Sequence, residues 1–193
     1  AALRRALIGI DFPCGEGLEC LRKAELRAWS LRDRLGPGDR AQLRTLFTIG
    51  PNYPEPFTMA DMIGAAEQAA AANPDRPEAW VRLGTWLLTW GRSAGVADWL
   101  PGSVRAIDSA IALDTTEAAV GLRLGAALEE GESNEIRRLA GVYFRIASGG
   151  EYEGLTRWQI ARALNDSGAL SDLRARFSEF APWSVEAGIR RQE

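Results

Sequence analysis

An all-α chain is predicted by three observations. Apolar residues recur at three- and four-residue spacing along most of the sequence, and Ser, Thr, Asp, Gly and Pro punctuate them at short intervals. No alternating run bounded by Asn-Gly or Asp-Gly turns interrupts that pattern, so strands are not expected. With 193 residues, 46% of them hydrophobic, the chain is long enough to bury a core. The helices follow one another at hairpin spacing, and antiparallel helical hairpins are the expected unit.

The first such stretch, "GLECLRKAELRAWSLRDRLGPGD", brings Leu18, Leu21, Leu26, Trp29 and Leu35 to helical spacing and stops at Gly36-Pro37. Pro37 can open the next helix, "DRAQLRTLF", because a first-turn residue needs no N–H partner within the helix. Residues 51–57 hold Pro51, Pro54 and Pro56 and form an extended connection, separating an N-terminal helical segment (1–50) from helical repeats (58–193). Thr58 with Asp61 reads as a capping box opening a helix that ends before Pro74. Asp75 with Glu78, and Pro77 in the first turn, then open a tryptophan-rich helix that stops at Gly91. Residues 91–103 read as a long connection carrying Trp99, Leu100 and Pro101, apolar where a loop should be polar, so that Trp99 either folds back over the hairpin end or meets a partner. Helices are expected next in "SVRAIDSAIAL", "TEAAVGLRLGAALEEG", "SNEIRRLAGVYFRIAS", "LTRWQIARALNDSG" and "SDLRARFSEF". The terminal stretch with Phe177, Phe180 and Trp183 is expected to cap the last hairpin.

A frame recurs three times: Trp80-Val81-Arg82-Leu83-Gly84 with Leu87, Gly121-Leu122-Arg123-Leu124-Gly125 with Leu128, and Arg157-Trp158-Gln159-Ile160-Ala161 with Leu164. Each places Gly or Ala where a neighbouring helix must come close. The partner helices agree, since Met62, Ala66, Ala69 and Pro74 are spaced like Ser103, Ile107, Ala110 and Thr115. Trp80 and Leu87 share one stripe with Leu83 and Gly84, and Trp86 and Trp90 form a second beside it. Both are read as filling between helices, against the small Ala65, Ala66, Ala69 and Ala70.

This frame resembles the tetratricopeptide repeat, with its W-x2-L-G-x2-Y pattern, over about residues 58–180. Leu87 stands for the Tyr, Gly121 for the second Trp, and the interval from Gly84 to Gly125 exceeds the 34-residue period of the family. "LRDRLGPGDRAQLRTLF" is also similar to a segment found ahead of such repeats in bacterial signalling proteins. The resemblance implies a right-handed solenoid whose inner groove is lined by Val81, Thr85 and Leu88, then Leu122, Ala126 and Glu129, then Trp158, Arg162 and Asn165. Val81 and Thr85 stand where family members that grip a peptide carboxylate carry Lys and Asn, so that recognition mode is not expected.

The chemistry available to the chain is narrow. It has no His and a single lysine, Lys23, which excludes Ser-His and Cys-His nucleophile pairs. Glu129-Glu130 sit at a helix end as a solvated pair, and no Gly-rich phosphate loop occurs. No cofactor or metal is expected. A formal charge of -3 lacks the basic excess of a nucleic-acid binder. No run approaches the ~20 apolar residues of a membrane span. Cys14 and Cys20 are close enough for a short-loop disulfide in an oxidising, extracytoplasmic (periplasmic) compartment, with two free thiols as the alternative. The start without Met, in residues that already read as helix, is expected to follow an upstream segment, one that could hold a signal peptide or a membrane anchor.

The function expected is a non-catalytic protein–protein interaction scaffold, an accessory subunit docking onto a larger assembly, including one at a membrane. Its contacts would be Trp99, Leu100 and Pro101 together with Val81, Thr85, Leu88, Leu122, Trp158 and Arg162. The alternative is the regulatory or sensory repeat domain of a larger bacterial signalling protein, a kinase or a transcriptional regulator.

Overall fold

A computed structural model describes residues 26–45, 58–147 and 153–176, and every described element is helical. Residues 26–30 are helical and lead into a 3-10 turn, Arg32–Arg34. Eight further helices follow: α1 (Pro37–Arg44), α2 (Met59–Ala72), α3 (Pro77–Trp90), α4 (Trp99–Leu113), α5 (Glu117–Glu130), α6 (Ser133–Ile146), α7 (Glu153–Ala163) and α8 (Ser167–Ala175). The described residues up to Asp114 form one compact unit, and those from Thr115 a second. Cys14, Cys20, the Pro-rich connection 51–57 and the terminal Phe177, Phe180 and Trp183 lie outside the described residues.

In the first unit the start of α2 is capped as its sequence predicts. The Thr58 hydroxyl accepts the Asp61 N–H, and Asp61 Oδ2 accepts the Thr58 N–H at 2.9 Å. Helix α1 is clasped to the end of α2. Asn73, 6% exposed, donates from Nδ2 to the carbonyls of Ala69 (2.9 Å) and Gly38 (3.2 Å), and Arg76 reaches Asp39 and Gln42 from the following turn. The core joins α2, α3 and α4 through Ile63, Ala66, Ala70, Ala79, Leu83, Leu87 and Ala106.

Helices α3 and α4 pair most closely, and antiparallel: Gly91 faces Trp99, Leu87 faces Gly102, and Gly84 faces Ser103 and Ile107. A Cβ on Gly84 would stand 2.5 Å from Ile107 Cγ1, so only glycine lets these helices approach so far. The buried Ser103 hydroxyl donates to the Gly84 carbonyl at 2.9 Å and adds a polar lock at the point of closest approach.

Three boundaries differ from the sequence reading. Asp75 does not cap α3: the N-cap is Arg76, without a side-chain bond, and Pro77 in the first turn sets the helical φ instead. Helix α3 does stop at its C-cap, Gly91, and the connection beyond it closes in a Schellman motif in which Gly95, at φ +75°, takes the left-handed position, with Gly95 N–H on Arg92 O and Val96 N–H on Gly91 O. Helix α4 therefore begins at Trp99, and Trp99, Leu100 and Pro101 are its first turn, where a proline costs no helix bond. Helix α8 begins at Ser167, four residues earlier than Ser171, because the Asp166 side chain accepts the Ala169 N–H at 2.9 Å.

The second unit has its own core. Leu124, Ala127, Ile136 and Leu139 join α5 to α6, and Trp158, Ala161 and Leu173 join α7 to α8. Helix α5 is capped by Thr116, whose hydroxyl accepts the Ala119 N–H, and closes at Gly131 in the left-handed region. Asn165, at φ 52°, ends α7 in a second Schellman motif, with Asp166 N–H on Ala161 O and Asn165 N–H on Arg162 O. Asn165 thus serves as a helix terminator.

Candidate interaction surfaces

On α3 of the first unit, Val81, Thr85 and Leu88 share the side away from the Leu83 and Leu87 stripe, and all three are half-buried. The Thr85 hydroxyl donates to the Val81 carbonyl at 2.8 Å, leaving the face with methyl groups as its main contact surface. Trp99 is half-buried, its Cβ against Gly91 and its ring under the Arg92 guanidinium at 4.9 Å. Trp99 is thus a helix residue folded back on the end of α3, and it does not project from a loop. Leu100 is half-buried and Pro101 exposed.

The tryptophans of α3 divide. Trp80 and Trp86 pack on the core, and Trp80 Nε1 donates to the Pro74 carbonyl at 3.0 Å. Trp86 Nε1 is sealed from solvent without a hydrogen-bond partner. Trp90, 37% exposed, is not core filling, because it sits on the last turn where the core no longer covers it.

In the second unit Leu122 is half-buried, but Trp158 is not a groove residue. It is 7% exposed in the α7–α8 core, since the frame is offset there: Arg157 takes the place that Trp80 holds in α3, and Trp158 follows it. Arg162 is exposed and lies over the Trp158 ring at 5.2 Å. Ala126 is buried and Glu129 exposed, so the two do not present one face.

Two features of this unit lie beyond the sequence reading. Arg123, its side chain 12% exposed, bridges Glu130 (3.4 Å) and Glu135 (3.5 Å), tying α5 to α6. The hydrogen bond from Arg138, with the added fields of Arg138 and Arg123, holds the Glu135 carboxyl below the ordinary range against the opposing effect of burial. A cleft of about 410 Å³ also opens beside α7, with Phe144 of α6, Ile160, Ala161 and Leu164 of the α7 segment, and Leu173 of α8 among its walls. Neither is visible in a one-dimensional pattern, because each depends on which helices meet.

The described residues hold no group of three or more His, Cys, Asp or Glu side chains that could bind a metal, and no described helix is long and apolar enough to cross a membrane. No known protein family, curated protein or solved structure matches the chain.

Proposed function

We propose that the chain is a protein–protein interaction scaffold of tetratricopeptide-like hairpins, stacked as a right-handed solenoid, acting as an accessory subunit of a larger assembly. One observation carries the reading: the frame that resembles this repeat lies on helices of successive hairpins, with Gly84 at a close helix–helix contact and its partner positions Ser103, Ile107 and Ala110 buried. Met62, Ala66 and Ala69, at the matching places on α2, are buried as well. Repetition of this kind produces extended surface rather than a reaction centre. The half-buried Val81, Thr85 and Leu88 give it an apolar patch of the sort a partner covers. Catalysis has little to draw on in a chain without His and with one Lys.

The test is size-exclusion chromatography of the tagged chain in an extract of its source. The reading expects a discrete, stoichiometric complex well above 21.0 kDa, stable to salt because its contact is apolar. Elution at the mass of the chain alone would overturn it.

A further inference from the structure

The cleft beside α7 has the volume of a binding site. Its roughly 410 Å³ falls within the ~300–1,000 Å³ typical of small-molecule pockets. Its apolar wall is formed by Phe144, Ile160 and Leu173. Its charged lining is uneven: the carboxylates Glu153, Asp166 and Asp172 face two guanidiniums, Arg157 and Arg176. Arg157 is engaged by Glu153 at 2.7 Å and by the face of Phe144 at 4.0 Å, and Arg176 pairs with Asp172 at 3.7 Å. Asp166 is the carboxylate in excess. One of its oxygens accepts the Ala169 N–H, so the start of α8 is already served by an anion and does not call for another.

We propose that this cleft binds a compact amphipathic cation, an aliphatic amine or guanidinium whose stem lies on the Phe144–Ile160–Leu173 wall and whose head is held by the Asp166 carboxylate. An apolar wall beside one uncompensated negative charge selects an apolar body with one positive end over a neutral or anionic one. The same chemistry is offered by a free alkylamine and by a lysine or arginine side chain of a partner. Because the carboxylate is solvent-exposed, its contribution to selectivity is modest, about fivefold in affinity, or ~1 kcal/mol.

An NMR titration of the full chain, following amide shifts of Leu164, Ala169 and Leu173, tests this with hexylammonium, hexanol and hexanoate as probes. Hexylammonium is expected to saturate below ~10 mM, hexanol to bind about fivefold more weakly, and hexanoate more weakly still. Asp166→Asn retains an oxygen for the Ala169 N–H and should abolish the preference for the amine over the alcohol. Ala169→Leu should fill the cleft and abolish binding of all three. A lysine peptide, acetyl-Leu-Lys-Leu-amide, binding more tightly than hexylammonium would identify a partner side chain as the source, and weaker binding would identify a free amine. The proposal is overturned if hexanoate binds as well as hexylammonium, if Asp166→Asn keeps the preference, or if no probe saturates.

Discussion

In the α3–α4 hairpin, Gly84 lies under Ile107 and its carbonyl takes the buried Ser103 hydroxyl; at the matching place in the α7–α8 hairpin stands Ala161, buried but bordering an open cleft. The first hairpin has helices of 14 and 15 residues, the second of 11 and 9. Length and contact distance act together. A long pair with glycine at the crossing interlocks along its whole face. A short pair with a methyl group at that place closes mainly on Trp158 and Leu173. The same frame can therefore build a closely packed pair in one unit and border an open cleft in the other.

The comparison breaks most directly at the core. Ile107→Ala, at a fully buried position, should cost about 3–5 kcal/mol in urea denaturation, whereas Leu173→Ala, at the cleft wall, should cost nearer ~2 kcal/mol. Equal losses would show that the second hairpin is as tightly packed as the first. Trp99→Ala removes the ring under Arg92 and the contact on Gly91, and should cost about 2 kcal/mol in the same titration. A change below ~0.5 kcal/mol would place Trp99 among ordinary surface residues.

Two glycines sharpen the argument about close approach. Gly84→Ala gains helix propensity but drives a methyl into Ile107, and a net loss of about 1–2 kcal/mol is expected. Gly141→Ala, in α6 with open space around the new methyl, should instead stabilise by about 0.5–1 kcal/mol. The same sign for both in thermal unfolding would contradict the packing described. The smallest effect belongs to Glu135. Its folded carboxyl lies below the ordinary value of 4.5, so its contribution is full above that pH and is lost as pH falls through the folded value. Glu135→Gln should cost about 0.5 kcal/mol at neutral pH and progressively less below pH 4.5, which stability curves at both pH values would read.

Much of the helical framework was legible because its signals are local. The Thr58–Asp61 cap, the burial of Met62, Ala66 and Ala69, and the close contact of Gly84 each follow from spacing within one helix. The start of α4 was not legible. Trp99-Leu100-Pro101 looks like a loop until Gly95 is known to take the left-handed terminator position, which hands the following residues to a new helix. The exposure of Trp90 and the burial of Trp158 were also hidden, since both depend on where the core ends rather than on periodicity. The α7 cleft needed three segments to meet, and of its residues only Arg157, Ile160, Ala161 and Leu164 stood in the repeat frame. Val81, Thr85 and Leu88 came from the repeat resemblance, and they share one side of α3 because helical spacing within one helix survives folding.

The measurement closest to the central claim replaces two residues of that face. The double variant Val81→Arg with Leu88→Arg puts charge on a half-buried apolar patch at the side of α3 away from the Leu83–Leu87 core stripe. The complex recovered from source extract should fall by at least tenfold, about 1.4 kcal/mol, while the melting temperature of the isolated chain shifts by no more than a few degrees. Recovery of the complex at the level of the unmodified chain, with an unchanged melting temperature, would contradict an interaction surface on this side of α3.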